Sequence, residues 1–162
     1  MIQIVPKDTF RDYIGHRRQV EEWFRITQDR IDKFADATDD HQYIHVDPER
    51  ASEGPFGKTV AHGFLTLSLL SKLLEPIMLM PEDIVMGVNY GLNRVRFPHP
   101  VLVDSEVRAA MTLIKVTDLS PERVLLTSDL EVEIRGVEKP ALVAESLAMW
   151  VVGHGDDVKS SE

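Results

Sequence analysis

One long apolar segment, residues 63–79, constrains the fold more than any other part of this chain. It reads GFLTLSLLSKLLEPIML, with leucine at positions 65, 67, 69, 70, 73 and 74. A helix with this sequence is apolar on almost every side, so the rest of the chain must surround it. Polar residues and a proline interrupt the segment at Ser68, Ser71, Lys72, Glu75 and Pro76. We therefore predict one long buried helix and not a membrane span.

The chain after this helix has the pattern of a β-sheet. The segments that predict strands are residues 85–97, 105–117, 124–134 and 141–152. The third alternates between apolar and polar side chains, and the last is apolar on both faces, as a central strand is. Pro121 and residues 136–140 mark short turns, which make neighbouring strands antiparallel. Gly87 and Gly91 predict a bent or bulged first strand.

The segments before residue 37 predict shorter elements. Residues 8–14 and 28–36 have apolar side chains at helical spacing, and Thr27 is a suitable N-cap for the second helix. Residues 20–26 alternate and predict a strand.

Together these elements predict an α+β fold in which about five antiparallel strands wrap around one long central helix. Residues 1–152 are expected to form one domain, followed by a polar tail over residues 153–162. A sheet that wraps one helix leaves part of that helix open. We expect a second copy of the chain to cover it, which makes a homodimer.

Composition narrows the functional classes. The chain has 162 residues, a net charge of −9 and no cysteine. Disulfides, thiolate metal sites and a cysteine nucleophile are thereby excluded. No dense basic cluster favours nucleic acid as a partner, and the N-terminus lacks the apolar core of a signal peptide. A cytoplasmic protein is therefore expected.

Residues 37–62 contain no long periodic segment, apart from one helical turn that Asp47 and Pro48 could start. We predict an ordered loop that carries titratable groups. Asp40 and His45 are close enough in sequence to converge on one water as a general acid–base pair. Structural polar pairs are also common, and the spacing leaves a solvated loop with a hydrogen-bonded histidine open.

A metal site in this loop is a weaker interpretation. His41 and His45 have a metal-binding spacing only on a helix, where both rings share a face. Tyr43 and Ile44 favour a loop, and spacing fixes no third ligand. We predict no metal.

His62 and Gly63 stand where the long helix begins. The unpaired N–H groups of a helix start can hold an oxyanion, and a glycine lets a ligand approach the backbone. A glycine kept for packing is the alternative. Leu67, Ser71 and Leu74 follow on one side of the helix, where an apolar ligand could lie, although such residues also form ordinary core.

The sequence around residues 93–96 places Asn93, Arg94 and Arg96 on one predicted strand. Arginine at the rim of a sheet suits phosphate recognition. Solvated charges on an edge strand are the commoner explanation.

Several of these segments together resemble the MaoC-like dehydratases, a hotdog-fold family that includes the (R)-specific enoyl-CoA hydratases. The resemblance runs from about Trp23 to Val151. It is carried by the segments FADATDDHQYIHVDPERAS, AHGFLTLSLL and YGLNRVRFPHPV. Asp40, Gln42 and His45 occupy the places of the family's aspartate, polar amide and histidine. The Gln and Tyr in this motif resemble the subgroup similar to nodulation protein N.

The resemblance implies a hotdog dimer that interconverts trans-2-enoyl and (3R)-hydroxyacyl thioesters of CoA or acyl carrier protein. It implies Asp40 and His45 as catalytic residues, the Gly63 N–H as oxyanion donor, Gln42 and His62 as substrate-binding residues, and no cofactor. A hotdog thioesterase and a non-catalytic acyl-thioester-binding protein are the alternatives. Asp39 stands where the family usually has glycine. If that position needs a positive φ, aspartate tolerates it better than most residues.

Overall fold

A computed structural model of the protein describes residues 2–153. The tail that was predicted after Gly153 lies outside the described residues. The strands are β1 Gln3–Val5, β2 Arg17–Gln19, β3 Phe24–Arg25, β4 Leu79–Pro81, β5 Ile84–Arg96, β6 Glu106–Ser120, β7 Arg123–Ile134 and β8 Leu142–Val152. The α-helices are α1 Gln28–Thr38, α2 Tyr43–Val46, α3 Pro48–Ser52, α4 Gly63–Ser68 and α5 Leu70–Leu74. Short 3-10 helices cover Lys7–Tyr13 and Glu75–Ile77.

The main sheet is six-stranded and antiparallel, in the order β2-β6-β7-β8-β5, with β3 also paired to β6. A separate two-stranded parallel sheet joins β1 and β4. The alternation predicted for β7 is confirmed, because Val124, Leu126, Leu130 and Val132 are all buried. The strand that was predicted to be central, β8, has a neighbour on both sides.

The apolar segment forms the helical layer that packs on this sheet, but the prediction of one long helix is wrong. The helix is divided at Leu69 and ends as an α-helix at Leu74. The Ser68 hydroxyl donates to the carbonyl of Phe64 at 2.7 Å, a side-chain bond that competes with the helical bond and bends helices. Pro76 has no N–H for the carbonyl four residues earlier, so the α-helix stops before it.

The core lies between these helices and the sheet. Leu65, Leu70 and Leu73 are buried against sheet residues such as Val132 and Leu142. The sheet therefore covers one side of a segment whose leucines lie around most of its surface.

The strand predicted over residues 20–26 is wrong in extent. Within that range the strand β3 covers Phe24–Arg25 only, and β2 covers Arg17–Gln19 just before it. Trp23 leaves the ladder and packs under the guanidinium of Arg108, 4.5 Å from the ring centroid. The helices predicted over residues 8–14 and 28–36 are present as the first 3-10 helix and α1.

Strand β5 is irregular and lies at the edge of the sheet. Its register against β8 shifts after Ile84, Asn89 and Asn93, which confirms the predicted bulges. A Cβ at Gly87 would come within 2.2 Å of the Trp150 ring and 3.1 Å of another of its ring atoms, so only glycine leaves room for that indole. Among the described residues, β5 pairs on one side only.

None of the described helices has the length and apolar character needed to span a bilayer.

Candidate active site

His45 lies in the helical turn α2, so the prediction of a loop at this residue is wrong. The turn is closed by a bond from the Asp47 N–H to the carbonyl of Tyr43 at 3.1 Å. The side chain is buried, and its Nδ1 lies 2.6 Å from the carbonyl oxygen of Val60. Since a carbonyl only accepts, Nδ1 carries the proton, and Nε2 is the basic nitrogen of the neutral ring.

Gln28, at the start of α1, holds the backbone of His45. Its amide donates to the carbonyl of His45 at 2.8 Å and to the carboxylate of Asp32 at 2.7 Å. The hydroxyl of buried Thr59 donates to the Gln28 side-chain oxygen at 2.5 Å. Gln28 and Thr59 were not predicted as site residues, because no local pattern links residues this far apart in the chain.

Asp40 is placed by the end of α1. Asp39 caps that helix in the left-handed conformation, with φ of 57° and ψ of 22°. The position does have a positive φ, which explains why glycine suits it and why aspartate is tolerated. The N–H of Asp40 donates to the carbonyl of Ala35 at 3.2 Å. Its carboxylate is 55% exposed.

His62 joins these two residues. Its Nε2 donates to the backbone carbonyl of Asp40 at 2.9 Å and lies 3.9 Å from the Asp40 carboxylate. Its ring stacks on that of His45, with centroids 3.7 Å apart and planes inclined by 23°. The other neighbouring ring is Phe34, 5.1 Å away. The ends of α1 and α2 and the start of α4 therefore meet at one place.

The side-chain ligand atoms of Asp40, His45 and His62 all lie within 4.8 Å of one another. The third ligand that spacing did not supply is thus His62, whereas His41 is turned toward Asp36 at 2.9 Å. The two imidazoles are nearly parallel, so their in-plane lone pairs do not converge on one ion at about 2 Å. The arrangement fits proton handling better than metal binding.

Electrostatics favours a neutral imidazole at His45. The pKa of His45 is lowered, chiefly because the ring is buried. The hydrogen bond to the Val60 carbonyl opposes that shift. Of the two titratable neighbours, His62 lowers the pKa further and Asp40 raises it. His41 behaves oppositely, because its hydrogen bond with Asp36 raises its pKa on an exposed surface.

Gly63 is the first residue of α4, after the N-cap His62. The N–H groups of a first helical turn have no partner within the helix, which leaves them available to an oxyanion. A Cβ at Gly63 would lie 3.1 Å from the Phe97 ring, so the glycine is also needed for packing.

A cavity of about 460 Å³ lies between α4–α5 and the sheet. Leu67, Ser71 and Leu74, the helix residues singled out in the sequence, all line it. From the sheet, Leu126, Leu130 and Trp150 contribute to its wall. Its size is typical of a small-molecule pocket, and its lining is mostly apolar.

The residues around the bulge in β5 are held by Glu145. Asn93 donates to its carboxylate at 2.7 Å and Arg94 at 2.8 Å. The hydrogen bond from Asn93, and to a smaller extent the one from Arg94, lowers the pKa of Glu145. Arg96 donates to the carbonyl of Val95 at 2.8 Å. Gln42 is exposed, directly before α2.

Comparison with protein families identifies the family to which this chain belongs. A family model described as "MaoC like domain" matches residues 9–133. The chain belongs to the MaoC-like family. A MaoC-like relative, 3-hydroxyacyl-thioester dehydratase Z of Mycobacterium tuberculosis, is 50% identical over 137 residues, or 85% of this chain and 90% of that protein. Nodulation protein N of Rhizobium leguminosarum bv. viciae is 48% identical over 132 residues, or 81% of this chain and 82% of that protein.

Solved structures agree with the hotdog architecture expected of a MaoC-like chain. The R-hydratase PhaJ1 from Pseudomonas aeruginosa superposes with a TM-score of 0.69 at 19% identity, covering 94% of this chain and 89% of that one. The (R)-hydratase from A. caviae gives 0.65 at 24% identity, covering 83% and 94%. The resemblance found in the sequence is thereby confirmed, including its likeness to nodulation protein N.

Proposed function

We propose that this protein is a hydro-lyase that interconverts a trans-2-enoyl thioester and a (3R)-3-hydroxyacyl thioester. The observation that carries the proposal is the convergence of Asp40 and His45, with the His45 ring oriented so that its Nε2 is the basic nitrogen. The extent of similarity to a 3-hydroxyacyl-thioester dehydratase supports the same chemistry.

Asp40 and His45 handle the water. Burial keeps the His45 ring neutral, while the half-exposed carboxylate of Asp40 remains open to solvent. Together they hold one water, and one of them takes its proton as the oxygen attacks C3. A proton is then delivered to C2, so that hydrogen and hydroxyl add to the same face of the double bond.

The thioester oxygen gains negative charge during this attack. The N–H of Gly63 is the donor proposed to meet it, with support from the N-terminal end of α4. Loss of one such donor typically costs about 10²–10³-fold in turnover.

The acyl chain occupies the cavity under α4 and α5, against Leu67, Ser71 and Leu74. Gln42 is proposed to contact the thioester end. Arg94 and Arg96 stay predicted phosphate contacts for CoA or acyl carrier protein. Glu145 accepts from both Asn93 and Arg94, and the bond from Arg94 holds that guanidinium in place.

A homodimer also remains a prediction. It is supported by β5, which has exposed apolar side chains, Val85, Met86 and Tyr90 among them, and a free edge within the described chain. Exposed edges of this kind pair readily with another strand. The cytoplasmic location predicted from the sequence stays a prediction as well.

The decisive experiment is incubation with crotonyl-CoA, following enoyl absorbance and free thiol together. We expect absorbance to fall while no thiol appears. Release of thiol would instead identify a thioesterase, and saturable binding with no absorbance change would identify a binding protein.

Variants assign the residues. Asp40→Asn and His45→Ala should each lose about 10²–10⁴-fold in turnover while remaining folded. The matched controls are Asp36→Asn and His41→Ala, because that exposed pair lies in the same segment but outside the site. Near-wild-type turnover in either site variant would refute the assignment.

A further inference from the structure

His62 contacts both residues of the proposed catalytic pair and is itself 4% exposed. His62 was predicted to bind substrate, but its position suits another role. We propose that His62 is a positioning residue that fixes the backbone of Asp40 and the ring of His45 without touching the substrate. This inference rests on the proposed hydratase function for its catalytic consequence.

The first contact acts on Asp40. The Asp40 carboxylate is more than half exposed, so the direction in which it points depends chiefly on its backbone. The N–H of Asp40 is tied to Ala35 in α1, and its carbonyl is tied to His62 at the start of α4. The second bond spans 22 positions of sequence and fixes the peptide that follows the left-handed turn at Asp39.

The second contact acts on His45. Val60 holds one edge of the His45 ring through Nδ1, and His62 covers one face at a centroid separation of 3.7 Å. Phe34 packs against His62 in turn. A ring held at one edge and one face cannot turn its Nε2 away from the water without moving these neighbours.

The remaining nitrogen of His62 argues against substrate contact. Nδ1 is buried and has no hydrogen-bond partner among the described residues. A buried imidazole therefore offers a substrate no accessible donor or acceptor. Leaving a buried acceptor unpaired is unfavourable, so an apolar ring would serve better if packing were the only requirement. The bond to the Asp40 carbonyl is what an apolar ring would lack.

The test separates the two contacts. His62→Phe keeps a flat ring against His45 but removes the donor to Asp40, whereas His62→Gln keeps an amide donor but removes the ring. We expect each to lower kcat by about 10–10²-fold with little change in KM, as small misplacements of catalytic groups do. His41→Phe is the matched control, and it should leave both constants unchanged because His41 is exposed and bonded to Asp36.

A pH profile gives a readout that packing alone would not move. Two titratable neighbours act on the pKa of His45: His62 lowers it and Asp40 raises it. Both variants remove the first and retain the second. The acid limb of kcat/KM should therefore move to higher pH in both.

Unchanged kcat and pH profile in both variants would overturn the inference, and so would a rise in KM alone, which indicates substrate contact. Circular dichroism checks that the variants fold.

Long-range ¹H–¹⁵N spectra of the wild-type imidazoles test the geometry without any variant or substrate. We expect the proton on Nε2 of His62 and, in neutral His45, on Nδ1, and a His62 protonated at Nδ1 instead would contradict the bond to Asp40. If the wild type lacks hydratase activity, the proposed function fails while these spectra still test the positioning.

Discussion

The carbonyl oxygen of Val60 lies 2.6 Å from Nδ1 of His45 and thereby decides which nitrogen of that ring is basic. Val60 belongs to a segment that also bonds back to α2, because its N–H donates to the carbonyl of Ile44 at 2.9 Å. The ring and the helical turn that carries it are thus fixed by the same short stretch of chain.

The lowered pKa of His45 should appear in the stability of the protein. A group whose pKa is lower in the folded state stabilises the fold above its unfolded pKa, which is about 6.5 for histidine. That contribution is lost as pH falls through the unfolded and then the folded value. In a His45→Gln variant, the free energy of unfolding should therefore fall less between neutral and acidic pH than it does in the wild type. Urea titration at each pH measures this difference.

His41 gives the matched control with the opposite sign. Its pKa is raised by Asp36, so its contribution is present at low pH and is lost as pH rises through the raised value. His41→Gln should make the protein relatively less stable at acidic pH. Identical pH dependence in wild type and both variants would contradict the assigned shifts.

Gln28 should matter for both stability and turnover. Replacement by alanine leaves the Thr59 hydroxyl and the His45 carbonyl without their partner, at a cost of about 1–3 kcal/mol in unfolding free energy. Because His45 is then less firmly held, kcat should fall by about tenfold or more. Asp29→Ala, which removes an exposed ion pair with Lys33 in the same helix, should change stability by less than about 1 kcal/mol. A Gln28→Ala protein that matches this control in urea titration and in turnover would show that the network is dispensable.

Asp39 should tolerate glycine and reject a β-branched residue. Its φ of 57° is strained for valine, so Asp39→Val should lower the unfolding free energy by about 1–2 kcal/mol, whereas Asp39→Gly should not. The valine variant should also lose turnover, since Asp40 follows directly. Equal urea midpoints for the two variants would mean that the turn relaxes at no cost.

Trp150 and Gly87 should set the length of acyl chain that the cavity accepts. The indole lines the cavity wall together with Met78 and Leu79, which lie beyond the end of α5 in the chain. Trp150→Phe should enlarge this end and raise kcat/KM for long relative to short enoyl thioesters. Gly87→Ala should push the indole out of its place, since the added Cβ would meet it at 2.2 Å, and shift preference toward short chains.

Trp23→Phe is the control for this pair, because Trp23 packs under Arg108 and does not line the cavity. It should leave the chain-length profile unchanged. If the Trp150 and Gly87 variants show the same ratio of long-chain to short-chain kcat/KM as wild type, the acyl chain does not reach this wall.

The sequence predicted best those features that depend on local periodicity. The alternation of β7 identified its buried face, and Thr27 was correctly assigned as the cap of α1, since its side chain accepts from the N–H of Arg30. The apolar segment was correctly predicted to be buried, but its division was missed. A sequence does not show whether a serine hydroxyl bonds to its own helix or faces solvent, so the effect of Ser68 on the helix could not be predicted.

The site was harder to predict, because its contacts join segments that are distant along the chain. Asp40 and His45 are close in sequence and were recognised through the family motif. The stack of His45 on His62 and the bond from Gln28 depend on how α1, α2 and α4 meet, which no local pattern encodes. The turn α2 was missed because four residues are too few to show a helical period.

The acceptor that orients His45 belongs to the main chain, as does the acceptor that His62 binds at Asp40. Almost any residue at position 60 supplies the same carbonyl, so a substitution there cannot delete the group, although it can displace it. Mutational scanning should therefore find position 60 selective for size and burial rather than for hydrogen-bonding chemistry. The side chains around this site can accordingly diverge among homologous proteins while the tautomer of the histidine is inherited unchanged.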